Sequence, residues 1–333
     1  MEHIKTIYGD GILERELNRL GEFIVVTDKV PWQLYESYFT DKVIRVIMPE
    51  TLDQSVLDEI AATIPENVEF VGLGGGAVID ATKYFAYLKQ NTPLLVPTIT
   101  SSNAPFSDFI SVRKGGGPYG FKKDGWPKRI VVDYDLIRKA DPRLNRAGYG
   151  DLLFMQTTLN DWRMAASAGK GLPLDPVIEE IMITIIRQAM DSAEEIGSVT
   201  SRGIKLLMKL TEQSTRLVMS NLSKPISAGA EHLFAWNLDI RTRRHFIHGE
   251  IVSLGIVISS FLQKSYHTEL KQALDKARVI YRPDQLGIDW NEIEESLLTV
   301  EAYNRKVRHF HTVFEDVEWT PQLFRDIKEW IYA

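Results

Sequence analysis

Asn67-Val-Glu-Phe-Val-Gly-Leu-Gly-Gly-Gly-Ala-Val-Ile-Asp80 decides the fold of the N-terminal half. Its first seven residues are apolar and β-branched enough for a buried strand, and Gly74-Gly75-Gly76 then opens a helical pattern running from Ala77 to Leu88. A strand, a glycine turn and a helix N-terminus present free backbone N–H groups and the positive end of a helix dipole, which is a place for a pyrophosphate. Asp80 and Lys83 fall one helical turn apart near that opening, where a carboxylate and an ammonium can address the polar parts of a nucleotide. A tight connection that binds nothing gives the same glycine pattern, so the run must be weighed with the rest of the chain.

Around this stretch, short β-branched runs at 23–27, 42–48, 68–72, 93–97 and 129–133 alternate with helical segments. That alternation predicts an open parallel sheet covered by helices, a Rossmann-like α/β domain over residues 1–144. Between Ser107 and Trp126 the text is rich in Gly and Lys, and Gly115-Gly-Gly-Pro-Tyr-Gly120 is expected to be a hairpin or loop rather than regular structure. After Pro142 the strand signal stops. Helical patterns at 151–167, 176–195, 203–221, 228–239, 248–266 and 269–279 predict an all-α domain over residues 145–333, with Pro142, Gly148 and Gly150 as boundary marks.

Composition excludes several functions. A net charge of −6 argues against a nucleic-acid footprint, which needs a basic excess or stripe. No apolar run approaches a membrane span, and the Met1-Glu-His-Ile-Lys5 start lacks the basic and apolar regions of a signal peptide, so a cytoplasmic location is expected. With 0 cysteines, any metal must be held by nitrogen and oxygen.

Three residues have that chemistry. Asp151 ends Gly148-Tyr-Gly-Asp151, His232 ends Ala228-Gly-Ala-Glu-His232, and His248 opens an apolar helical pattern. One carboxylate and two imidazoles suit a divalent metal with an open position for substrate. Singly, each has a plainer reading: an Asp after glycine caps a helix, and a His among apolar residues is a hydrogen-bonded core residue. His245, three residues before His248, competes for the same assignment.

Taken together and in order, the motifs resemble the superfamily of iron-type alcohol dehydrogenases, glycerol dehydrogenases, sn-glycerol-1-phosphate dehydrogenases and dehydroquinate synthases. The matching pieces are Val26-Thr-Asp28, Gly74-Gly-Gly-Ala-Val-Ile-Asp80-Ala-Thr-Lys83, Val96-Pro-Thr98-Ile-Thr-Ser101, Ala147-Gly-Tyr-Gly-Asp151, Asp161-Trp162, Ser223-Lys-Pro-Ile-Ser-Ala-Gly-Ala-Glu-His232 and His248-Gly-Glu250. The Gly-Tyr-Gly-Asp, Asp-Trp and Glu-His pieces point to the glycerol-1-phosphate dehydrogenase branch. The resemblance implies a dehydroquinate synthase-like fold, a divalent metal held by Asp151, His232 and His248, and a nicotinamide dinucleotide over Gly74, Gly75 and Gly76. It places Asp28 beside the adenosine ribose, where a carboxylate favours NAD over NADP. It brings Asp80, Thr98, Ser101 and Ser107 to the cofactor, and Asn103 and His245 to the reacting groups as hydrogen-bonding assistants. Zinc is the first expectation for the metal, with iron and nickel as alternatives, and self-association into a homo-oligomer is implied.

Three departures from the pattern bear on function. Asn103 stands where a carboxylate is usual, Ala77 follows the glycines where Lys or Ser is common, and an extra alanine sits in Ser227-Ala-Gly-Ala-Glu-His232. The resulting expectation is an NAD(P) oxidoreductase for a small polyol or polyol phosphate, most like the reduction of dihydroxyacetone phosphate to sn-glycerol 1-phosphate. A sugar-phosphate cyclase with bound NAD and a non-catalytic homologue are the alternatives. A phosphorylated substrate needs cations, and Lys224, Arg241, Arg243 and Arg244 lie near the two histidines in sequence.

Overall fold

The computed structural model describes residues 5–114, 117–122 and 127–333. The chain divides into two compact units, Met1–Asn145 and Arg146–Ala333.

The first unit is built on a parallel sheet. Its strands are β1 (Lys5–Gly9), β2 (Phe23–Thr27), β3 (Val43–Ile47), β4 (Glu69–Gly74), β5 (Leu94–Pro97) and, after a separate hairpin of β6 (Phe109–Lys114) and β7 (Gly117–Lys122), β8 (Arg129–Asp133). The sheet order is β1-β8-β5-β4-β2-β3, with every neighbour parallel. The central strands read as continuous apolar runs because helices cover both faces. Alternation still sorts their side chains: Ile24, Val26 and Phe70 enter one core, while Phe23, Val25, Val71 and Leu73 enter the other.

β1 escapes a sequence reading because Lys5-Thr-Ile-Tyr-Gly9 is an edge strand, exposed or half-buried along its length, with no apolar run to announce it. The glycine-rich segment forms a hairpin, one of the two forms expected, but with more regular structure than its glycines suggest. Gly117–Lys122 is a regular strand, paired antiparallel with Phe109–Lys114, because alternate residues of β6, Ile110 and Val112, are buried and hold it to the unit. Residues 115–116 and 123–126 of that stretch lie outside the described residues.

From β2 the chain steps outward to β3, then returns to the other side of β2 as β4 and continues outward through β5 and β8. The order therefore reverses between β2 and β4, the kind of switch point at which open α/β sheets bind ligands beyond the carboxyl ends of their strands.

The second unit is helical, and the division between units falls within the helix Pro142–Ser167. Gly148 and Gly150, expected to mark a boundary, sit inside this continuous helix, and Asp151 lies in its middle rather than at its start. The helices Ala230–Thr242 and His248–Gln263 carry the two histidines, and both are buried along most of their length. The helices Trp290–Val307 and Pro321–Tyr332 close the unit, the latter presenting Phe324, Ile327 and Ile331 to the core at helical spacing.

Candidate functional site

In the helical unit, glycines let three helices meet closely enough to bring their side chains together. A Cβ on Gly150 would stand 1.9 Å from Ser253 Oγ, and one on Gly255 would stand 2.5 Å from the Glu231 carbonyl oxygen, so neither crossing admits a side chain. At these crossings the structure brings together Asp151, His232 and His248, whose ligand-type atoms all lie within 4.8 Å of one another. Both imidazoles turn Nε2 toward Asp151 Oδ1, at 3.6 Å for His232 and 3.4 Å for His248. His232 is buried and His248 exposed, so the cluster is open to solvent on one side.

A residue that the sequence reading left without a role completes this arrangement. Glu231 is fully buried, and its Oε1 lies 2.9 Å from His232 Nδ1. Nδ1 donates to the Glu231 carboxylate, which fixes the ring and leaves Nε2 directed at Asp151. The Glu231 carboxylate is held in turn by the Gly229 N–H at 2.7 Å and the hydroxyls of Thr157 and Thr158 at 2.7 and 3.0 Å. Its only sequence signal was its place beside His232.

The electrostatics favour a cation. Burial alone would raise the Asp151 pKa, but hydrogen bonds and charge from His232 and His248 outweigh it and hold the carboxyl at about 2. His232 feels the opposite balance: burial disfavours its charge, yet Asp151 and Glu231 push it up to about 9. Two carboxylates thus hold positive charge on one imidazole, a demand that a divalent ion meets with the same donors. The residues present fit such an ion.

Asp161, of the Asp161-Trp162 pair, braces this region. It accepts the Ala230 N–H at 2.7 Å, the Val313 N–H at 3.0 Å and Gln263 Nε2 at 2.8 Å, tying the starts of two segments to the end of the His248 helix. His245 is exposed in the connection between the two histidine helices and is not among the clustered residues.

In the parallel-sheet unit, Asp28, the glycine turn and Thr98 all follow the carboxyl ends of neighbouring strands. Thr27 pairs with Leu73 in register and donates its hydroxyl to the Leu73 carbonyl at 2.7 Å, so Asp28 and Gly74 leave adjacent strands side by side. Asp28 is exposed and begins the helix Lys29–Tyr35 without capping it through its side chain. The helix Gly76–Leu88 starts from Gly75 with no side-chain cap, which leaves its first N–H groups for a ligand. A Cβ on Gly74 would lie 2.7 Å from Val78 Cβ, so that position of the turn is also sterically reserved for glycine. Thr98 is buried and fastened to the turn by its N–H to the Gly74 carbonyl at 3.1 Å. Ser101 is half-buried beyond it, and Asn103 is exposed at the head of the short turn Ala104–Phe106.

Two other residues of the expected nucleotide face point inward. Lys83 is fully buried, pairs with Asp80 at 2.9 Å and donates to the carbonyls of Ala104 and Phe109. This lysine is therefore committed to holding the Ala104–Phe109 segment, a correction to the expectation that it addresses a nucleotide. Ser107 is buried too, with its hydroxyl accepting the Phe109 N–H at 3.0 Å.

The fold and these sites define a class. A family model described as iron-containing alcohol dehydrogenase matches residues 10–141. The chain is 29% identical over 306 residues to a glycerol-1-phosphate dehydrogenase (NAD(P)+) of Sulfurisphaera tokodaii, covering 88% of this chain and 85% of the relative. A second of the same name, from Metallosphaera sedula, is 28% identical over 334 residues and covered at 92% on both sides. Among solved structures, glycerol dehydrogenase from Schizosaccharomyces pombe shares the fold with a TM-score of 0.74 at 20% identity, over 98% of this chain and 89% of that one.

Proposed function

We propose that this protein is a metal-dependent NAD(P) oxidoreductase that exchanges hydride with a small polyol phosphate, in the direction of reducing dihydroxyacetone phosphate to sn-glycerol 1-phosphate. The observation that carries the reading is the convergence of Asp151, His232 and His248 from three helices. The relatives' names supply the substrate and the nicotinamide.

Asp151, His232 and His248 would hold a divalent ion, with zinc as the assignment and iron and nickel as the alternatives that the same donors accept. When bound, such an ion polarises an alcohol or ketone oxygen, and a nicotinamide exchanges hydride with the carbon. The chain's own residues prepare for this. Glu231 keeps the His232 ring oriented. The exposed flank at His248 leaves room for substrate. Gly74, Gly75 and Gly76 would take the pyrophosphate on backbone N–H groups, and the Asp28 carboxylate would accept a ribose 2′-hydroxyl and repel a 2′-phosphate, so NAD is the preferred form. Thr98 and Ser101 would border the same ligand.

Among the described residues no helix is long and apolar enough to cross a membrane, and a cytoplasmic homo-oligomer is the proposed state. The testing experiment is oxidation of NADH and NADPH by metal-loaded protein with dihydroxyacetone phosphate, with product configuration determined. Steady turnover to the sn-1 phosphate supports the reading. No hydride transfer across triose and polyol phosphates, at one metal per chain, would overturn it.

A further inference from the structure

Three of the four cations near the histidines in sequence have different fates in the structure. Arg241 pairs with Glu295, and Arg244 pairs with Glu292 at 2.6 Å while donating to the Gly287 carbonyl. Lys224 makes no ion pair among the described residues and instead lines a pocket of about 260 Å³ within the helical unit. Arg308, which follows the Trp290–Val307 helix, lines the same pocket, and it too has no carboxylate partner among the described residues. Its guanidinium sits 4.8 Å from the Trp236 ring centroid, and that ring is 5.3 Å from the His232 ring, so one indole relates the pocket's cation to the metal cluster.

Several other wall groups are already engaged. Asp161, the carboxylate on the wall, is occupied by the Ala230 and Val313 N–H groups and Gln263. Lys170 pairs with Asp316 at 3.4 Å. Thr312 is 1% exposed and lines the pocket, yet its hydroxyl has no hydrogen-bond partner among the described residues. A buried hydroxyl left unpaired is costly, and its donor is suited to an anionic oxygen.

We propose that this pocket, with Lys224 and Arg308 as its cations and Thr312 as its neutral donor, takes the phosphoryl group of the substrate. The proposal rests on the phosphate-ester reading above. A phosphate monoester offers three acceptor oxygens to a forked guanidinium, a point-charge ammonium and a hydroxyl. The volume lies below the roughly 300–1,000 Å³ of sites for drug-sized ligands, which suits a ligand of a few heavy atoms.

The test titrates metal-free protein with methyl phosphate, a non-reacting ester, by calorimetry and phosphorus NMR. Saturable binding is expected in the unaltered chain. It should weaken about tenfold or more in Lys224→Ala and in Arg308→Gln, as a lost charge-assisted bond predicts, and about threefold in Thr312→Val. Lys224→Arg should restore most of the affinity, and circular dichroism checks that each variant is folded. No saturable binding, or equal binding by folded Lys224→Ala and Arg308→Gln, would overturn the proposal. Hydride transfer to dihydroxyacetone phosphate by metal-loaded protein is assayed in parallel. Transfer without phosphate binding discards the pocket and keeps the oxidoreductase, whereas phosphate binding without transfer keeps the anion pocket and discards the oxidoreductase.

Discussion

Gly249 lies directly against Ala147: a Cβ on Gly249 would stand 1.8 Å from the Ala147 carbonyl oxygen. This contact sets how closely the Asp151 and His248 helices cross, and so whether Asp151 Oδ1 and His248 Nε2 come within 3.4 Å. Gly249→Ala must push two rigid helix backbones apart, since no flexible side chain is there to yield. A stability loss of about 1–3 kcal/mol is expected from such overpacking, together with weakened zinc binding. Denaturant unfolding and a chelator competition check both. Unchanged zinc affinity would mean that the crossing does not set the cluster.

Glu231 gives a cleaner test of metal affinity, because it touches His232 without being one of the three clustered ligand-type residues. Gln at this position keeps the size but not the acceptor capacity that the Gly229 N–H, two threonine hydroxyls and His232 Nδ1 require. Glu231→Gln should lower zinc affinity roughly 10–100-fold, the usual cost of removing a carboxylate behind a ligating histidine. Competition against a fluorescent chelator measures it, and an unchanged affinity would show that the ring needs no such support.

Cofactor choice should follow Asp28, which is exposed where β2 ends beside the glycine turn. Asp28→Ser removes the charge that repels a 2′-phosphate. The ratio of kcat/KM for NADPH to that for NADH should rise, by about tenfold if one unfavourable contact of about 1.4 kcal/mol is relieved. A ratio that does not move would place ribose recognition elsewhere.

What the sequence made legible was local. The run from Asn67 to Asp80 carries its strand, turn and helix within fourteen positions, and the structure has them at Glu69–Gly74, Gly75 and Gly76–Leu88. The ligand-type residues were visible as residue types in ordered motifs, yet the choice between His245 and His248 depends on which imidazole a helix crossing carries inward, and no spacing rule contains that. Lys83 was misread for the same reason: the carbonyls of Ala104 and Phe109 that bury it lie more than twenty residues away. Gly148 and Gly150 looked like breaks because glycine ordinarily weakens a helix. Here the Gly150 position meets Ser253, and packing between helices outweighs propensity. β1 was missed because half-exposed edge strands carry little apolar signal.

Asp161 links the pH dependence of stability to the brace behind the His232 helix. Burial, with the nearby charge of Glu231, raises its pKa from an ordinary carboxylate value to about 7. Between roughly pH 4 and pH 7 the folded chain therefore holds a proton that the unfolded chain has released, so this residue's contribution is fully present below about pH 4 and is lost as pH rises through 7. The slope from one such group is at most about 1.4 kcal/mol per pH unit. Asp161→Asn mimics the protonated form at every pH, although its amide must face one of the N–H donors that the carboxylate now satisfies. The variant carries that cost throughout, so the informative quantity is how its stability difference from the unaltered chain changes with pH. Denaturant unfolding from pH 5 to pH 8 should find the unaltered chain's advantage over Asp161→Asn largest at pH 5 and shrinking toward pH 8. A difference that stays constant across this range would show that Asp161 is ionised throughout and that its three donors, rather than a shared proton, settle the repulsion from Glu231.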